Sequence, residues 1–268
     1  MRTISARRLT AAVLGTAFAA LTLLVGTAAH AQFDTELSTG HYDIEIEFED
    51  DALALVVGVD DPLPGEPEFY DPATTIYQLQ TSADPAINDQ FPRPASFDFF
   101  GPDVDTGDPI WLTAAGSNDQ GIAPLVGLAA EDIAPGTFVN DQLTLRLVGF
   151  SGPGQAAGFL PVPGGTPTPA FRTDNGLDAT DFATIITGAG HTDYVFAFTA
   201  PGVYALTFEA SGTLVSGGTR TGTGTYNFGV NFVNVPVVVP EAGTVPLMLG
   251  AGCSVLGGLV IRRRGKKA

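Results

Sequence analysis

Between residues 32 and 235 no stretch repeats apolar residues at every third and fourth position without a proline or glycine intervening, whereas apolar residues recur at alternate positions in run after run. A helix longer than a turn or two is excluded from this part of the chain, and a series of half-buried strands joined by turns is expected instead. In Tyr42-Asp43-Ile44-Glu45-Ile46-Glu47-Phe48 the apolar side chains fall on one face and the acids on the other, as a half-buried antiparallel strand requires. Asp50-Asp51 then turns the chain into a second strand over 53–59. Further strands are expected over 75–80, 109–113, 142–150, 193–199, 203–210 and 223–233. Ala200-Pro201-Gly202 and Ser216-Gly217-Gly218 carry turn chemistry, which makes the last strands read as a meander of hairpins. Phe196 and Phe198 share one face, as do Tyr204, Leu206 and Phe208, and both sets read as core. The proline- and glycine-rich segments 62–72, 90–94 and 152–169 read as long loops. The expected fold class is all-β, an antiparallel, immunoglobulin-like β-sandwich.

The two ends of the chain obey a different logic. Arg2, Arg7 and Arg8 precede an apolar run over 9–25, and Ala29-His30-Ala31 supplies small residues at the cleavage-critical positions, so residues 1–31 read as a signal peptide. At the other end an apolar stretch of seventeen residues, 245–261, is followed by Arg262-Arg263-Arg264-Gly265-Lys266-Lys267. As a helix it would rise roughly 26 Å, enough to cross a hydrocarbon core, and the basic cluster would hold the C-terminus in the cytoplasm with the body outside. The expected organisation is a signal peptide (1–31), a β-sandwich surface domain (32–235) and a sorting segment with a transmembrane helix (236–268).

Charge narrows the partners. Outside the signal and tail the only basic residues are Arg93, Arg146, Arg172 and Arg220, against 28 acids, a net charge of −24 with no lysine. Such a surface repels phosphate backbones, so nucleic acid is excluded as a partner, and it favours cations. The same acids also serve simply to keep an extracellular domain hydrated. The single cysteine, Cys253, lies in the C-terminal apolar stretch, so the body has neither disulfide nor thiol chemistry.

Two histidines remain after the signal, and each sits in the same local pattern: Gly40-His41-Tyr42-Asp43 and Gly190-His191-Thr192-Asp193. Residues i and i+2 of a strand point the same way, which aligns His41 with Asp43 and His191 with Asp193. If the two strands are neighbours, two imidazoles and two carboxylates converge on one divalent cation, zinc or manganese being the natural choices for mixed nitrogen and oxygen donors. The competing reading is that both histidines end loops and bond to nearby backbone. Asp103-Val104-Asp105-Thr106-Gly107-Asp108 has the carboxylates and glycine of a calcium-binding turn, but Ala114 stands where an EF-hand needs its bidentate acid, so calcium is the lesser candidate and a solvated turn the simpler one.

The order Pro240-Glu241-Ala242, apolar helix, Arg262-Arg263-Arg264 resembles the PEP-CTERM sorting signal, with Ala242 where that motif usually has its second proline. The resemblance implies recognition and cutting by a membrane-embedded exosortase. The body resembles the choice-of-anchor M domain through 40–46, Phe97-Asp98-Phe99-Phe100-Gly101 leading to Pro109-Ile110-Trp111, 131–138, and the run from Gly190-His191 to Tyr204. That family tends to have a second histidine at the position of Asp193 and an Asn-Trp pair at that of Val195-Phe196, so this chain departs from its pattern at both. The resemblance implies a surface domain joined to an anchoring tail and establishes no catalytic role.

An enzyme is not expected: the body has no cysteine or lysine, no G-x-S-x-G elbow, and no histidine in a triad context, although paired carboxylates of a glycan-active enzyme leave no sequence signature. Trp111 and exposed tyrosines would suit sugar stacking, but a lone tryptophan in a strand is usually core. Taken together these readings lead to an exported cell-surface or extracellular-matrix protein, handled by signal peptidase and an exosortase-like enzyme and anchored by its C-terminal helix before processing. Its body is expected to be a non-enzymatic interaction domain that meets exopolysaccharide or other surface components, with a divalent-metal-binding domain as the alternative and a glycan-active enzyme as the second.

Overall fold

The alternating run at 42–48 lies within a ten-residue strand, but its acids Asp43 and Glu45 are buried along with Ile44 and Ile46, so the expected solvent face is covered there. The computed structural model describes residues 32–233 apart from 61, 63–66, 85–87, 117, 118 and 120. Residues 1–31, read above as a signal peptide, and Pro240, Glu241, Ala242, Arg262, Arg263, Arg264 with the apolar stretch between them lie outside the described residues. Among the described residues no helix is long and apolar enough to cross a membrane. The strands are β1 (Thr35–Leu37), β2 (Gly40–Glu49), β3 (Ala52–Val59), β4 (Phe69–Tyr70), β5 (Thr75–Leu79), β6 (Gln90–Pro92), β7 (Pro109–Leu112), β8 (Pro124–Ala129), β9 (Gln142–Ser151), β10 (Ala156–Phe159), β11 (Pro169–Arg172), β12 (Phe182–Ile186), β13 (Thr192–Phe198), β14 (Gly202–Thr213) and β15 (Thr219–Val230). Among the described residues, helical geometry is confined to single 3-10 turns at Asp98–Phe100 and Val139–Asp141.

The fold is all-β. One sheet runs β1-β5-β15-β14-β9-β12, and the other runs β11-β10-β13-β8-β2-β3-β4, with β7 paired to β13 and β6 to β7 at its margin. The sheets are not purely antiparallel, as the alternation alone suggested: β1 with β5, β5 with β15 and β2 with β8 are parallel. Parallel neighbours are joined through distant chain, and a hairpin reading cannot foresee them. The expected meander is also corrected. β14 and β15 form a long hairpin, but Ala200-Pro201-Gly202 carries the chain from β13 in one sheet to β14 in the other. The expected loops contain β4, β6 and β10, so their prolines and glycines bound short strands as well as turns.

Inward-facing residues of both sheets share one core. Phe196 and Phe198 from one sheet meet Phe228 from the other with ring centroids 5.3 and 5.0 Å apart, and Tyr77 stacks on Phe228 at 4.9 Å. Tyr204, Leu206 and Phe208 join the same cluster, as their shared face requires. Tyr226 donates its hydroxyl proton to the Val56 carbonyl at 2.8 Å, tying β15 to β3 across the interface while satisfying a buried phenol. A second, smaller core lies behind β13: Val195 and Ala197 are covered by Phe99, Phe100, Ile110 and Phe159. Both faces of β13 are therefore buried along its C-terminal half, and the run Val195-Phe196-Ala197-Phe198 is apolar throughout. Along that outer face, two residues before Val195, stands Asp193.

Candidate metal centre

β8 separates the strands that carry the two histidine patterns. It pairs parallel with β2 and antiparallel with β13, in a register that sets Asp43, Gly127 and Asp193 in one row across three strands. The histidine strands are therefore not direct neighbours, the condition on which convergence was argued, but next but one. The residue between the two aspartates has no side chain. A methyl at Gly127 would be driven into Asp43 Oδ1, and it would stand 3.2 Å from Asp43 Cγ and 3.3 Å from His191 Cδ2. Gly58, Asp43's partner on β3, leaves room on the other side. Gly40 opens β2 with φ +106°, a conformation that side chains rarely tolerate, and so sets the entry of the chain to His41.

The four predicted residues come together. His41 Nε2 lies 3.1 Å from Asp193 Oδ1 and 3.8 Å from Asp43 Oδ1. His191 Nε2 lies 3.6 Å from the same Asp193 oxygen, and its Nδ1 lies 3.8 Å from Asp43 Oδ2. The two rings meet edge to face with centroids 4.4 Å apart. His41, His191 and Asp193 form the tightest set, each offering a donor within 4.8 Å of the others, and Asp43 closes the group from beneath. Two loop-end carboxylates complete the cluster. Asp60, just past β3, places Oδ2 2.9 Å from His41 Nδ1. Glu131, just past β8, accepts from the His191 backbone N–H at 2.7 Å and lies 3.2 Å from its Nδ1. Neither was read from the sequence as part of the site; the only signal was an acid within two residues of a strand end.

The electrostatics are those of an overfilled anionic pocket. Burial pushes Asp43 up to about 6 against the pull of His191 and His41, and Asp60 and Glu131 push it further. Glu45, the next residue on that face of β2, is raised to about 8, by burial first and then by Asp43, Glu131 and Asp132. Burial lowers the pKa of His191, but Asp43, Asp193 and Glu131 outweigh it and the net shift is upward. His41 Nε2, Asp43 Oδ1, Glu45 Oε1 and Asp193 Oδ1 are all buried and have no hydrogen-bond partner. Orphaned buried polar atoms are rare and costly, and a group of them aimed at one another is the arrangement an ion satisfies.

The calcium-like turn behaves differently. Arg93, itself buried, donates from Nε to the Asp105 carbonyl at 3.0 Å, from Nη1 to the Phe97 carbonyl at 2.6 Å and from Nη2 to Thr106 Oγ1 at 3.2 Å. Asp108 Oδ2 accepts from the Asp105 backbone N–H. A buried guanidinium thus engages a carbonyl and a hydroxyl of the turn, where a cation-binding loop would turn such oxygens to its ion. Trp111 is buried and donates to Thr81 Oγ1 at 2.9 Å, so it offers no platform for a sugar ring. No family model, no curated protein and no solved structure matches this chain.

Proposed function

We propose that this chain is an exported cell-surface or extracellular-matrix protein whose β-rich body, an immunoglobulin-like sandwich elaborated by parallel strands, is a non-enzymatic interaction domain holding one divalent cation. A single observation carries the reading: His41 and His191, 150 positions apart in the chain, converge with Asp193 on a common point beside Asp43. The two imidazoles and two carboxylates are the donor set expected for zinc or manganese. The strongly acidic body supports attraction of cations from the medium. The surface placement rests on the signal peptide, on the sorting segment at Pro240-Glu241-Ala242 with Arg262-Arg263-Arg264, and on the resemblance to the choice-of-anchor M and PEP-CTERM families. Signal peptidase and an exosortase-like enzyme are the processing partners, and exopolysaccharide or other surface components the physiological ones.

The experiment is a thermal melt of the purified full chain with elemental analysis of the same sample, before and after EDTA and with zinc, manganese or calcium restored. Binding of a cation to the folded state alone raises the midpoint. Stoichiometric metal, a midpoint lowered by chelation and restored by metal, and loss of both effects in His41→Ala and His191→Ala are the expected results. A midpoint indifferent to EDTA and to every metal would refute the metal-binding reading. Intact mass of the cell-associated protein tests the processing separately, since retention of residues 245–268 in every molecule excludes cleavage.

A further inference from the structure

Resting on the cation-binding reading, we infer that the site selects zinc over manganese, through four protein donors whose rings are oriented by Asp60 and Glu131. Three features of the cluster carry this.

The first is which ring atoms are free. Asp60 stands 2.9 Å from Nδ1 of His41 and Glu131 stands 3.2 Å from Nδ1 of His191. With Nδ1 carrying the proton, each carboxylate is placed to accept it, and the Nε2 lone pair is then left for a metal. Such carboxylate-to-imidazole bonds are the usual outer support of histidine ligands. Both Nε2 atoms then face the same Asp193 oxygen, at 3.1 and 3.6 Å.

The second is spacing. Zinc bonds to nitrogen and oxygen of about 2.0–2.1 Å set tetrahedral donors roughly 3.3 Å apart. Three of the six donor separations, at 3.1, 3.6 and 3.8 Å, bracket that edge. His41, His191 and Asp193 form the closest set, and we assign the fourth position to Asp43, which is 6 % exposed and whose unpartnered Oδ1 lies 3.8 Å from His41 Nε2.

The third is number. Manganese, bound by oxygen-rich octahedral sets, needs six donors. Here the other nearby carboxylates, Asp60 and Glu131, face the imidazoles, and the side chains of His41 and Asp43 are only 11 % and 8 % exposed against 26 % and 32 % for His191 and Asp193, so water reaches the site from one side alone. Zinc has no such demand, and a four-donor set meets it.

The test is a cobalt titration of the chelated full chain, followed by competition. Four-coordinate cobalt absorbs intensely in the visible region and six-coordinate cobalt only weakly. The expected outcome is the intense spectrum, its loss on adding one equivalent of zinc, and its persistence under a hundredfold excess of manganese. Asp60→Asn and Glu131→Gln should each weaken zinc roughly 10–100-fold while keeping the shape of the cobalt spectrum, because they orient ligands without touching the ion. Cobalt bound with a weak, six-coordinate spectrum, or manganese competing on equal terms, would overturn the zinc assignment and leave the cation-binding reading standing. Unchanged zinc affinity in both outer-carboxylate variants would overturn their orienting role. Absence of binding by any of the three metals would remove the cation reading itself, and this inference with it.

Discussion

Replacing Gly127 with alanine tests whether the gap between the two aspartates is the space an ion uses. The added methyl would run into Asp43 Oδ1 and stand 3.2 Å from Asp43 Cγ, tighter than ordinary contact, and 3.3 Å from His191 Cδ2. Asp43 is only 6 % exposed, so its carboxylate relieves the clash by turning away from its donor position rather than by moving into solvent. Metal ligands must hold their distances to within about 0.2 Å, so one of the four donors is lost. A hundredfold drop in affinity is the expected scale. At zinc held at about 100 times the wild-type dissociation constant, binding stabilises the wild type by about 2.7 kcal/mol and the variant by about 0.4 kcal/mol. For a domain of this size the wild-type term is worth roughly 5–10 °C in midpoint, and the variant's about 1 °C. The same melts in EDTA measure the steric cost alone, on the order of 1–3 kcal/mol for an overpacked position. A variant with an unchanged zinc-dependent shift would refute the argument, because the ion would then need neither the gap nor Asp43.

Three further outcomes follow from other parts of the molecule. Arg93→Met removes the guanidinium from the Asp105, Phe97 and Thr106 oxygens and should cost about 3 kcal/mol in urea unfolding, with no recovery on adding calcium; full stability would mean that the turn does not depend on its internal cation. Burial raises Asp89 from 3.8 to about 6, so the folded state binds a proton that the unfolded chain releases, and stability declines as pH rises between those values. Asp89→Asn should flatten that decline and raise the midpoint at pH 7, and a variant whose pH profile matches the wild type would contradict the assignment. Phe228→Ala empties the point where Phe196, Phe198 and Tyr77 meet and should destabilise by about 3–5 kcal/mol, read by chemical denaturation, whereas a loss under 1 kcal/mol would place the core elsewhere.

β9 and β14 were legible because their outward residues meet solvent, and their apolar positions pointed to the core; β2 alternates in sequence too, but there the outward Asp43 and Glu45 are buried in the histidine cluster. β8 was illegible for the opposite reason: Pro124-Leu125-Val126-Gly127-Leu128-Ala129 is buried at every position and has no alternation to read. β12 misleads through its exposed side, where Phe182 and Ile186 face outward and small Ala183 faces in. The histidine patterns were legible because i and i+2 share a strand face whatever the surrounding fold. Asp60, Gly127 and Glu131 were not, because their proximity to the histidines depends on the register of three strands, and that register is set by the packing of both faces.

The place of β8 also sets the tempo at which the molecule can assemble. Tyr42 pairs with Val126, 84 residues later, and Val126 with Tyr194, 68 residues beyond that; in the other sheet Ile76 waits for Asn227, 151 residues away. Loop-closure entropy must be met before such pairings return any energy, so folding should be slow, on the millisecond-to-second scale of non-local β topologies. β2 and β3 can pair early as a hairpin, but the other edge of β2 and the inner edge of β5 stay open until β8 and β15 are present. If the chain is exported as proposed, a translocation channel that admits only unfolded polypeptide would find its two sheets still incomplete until the last strands emerge.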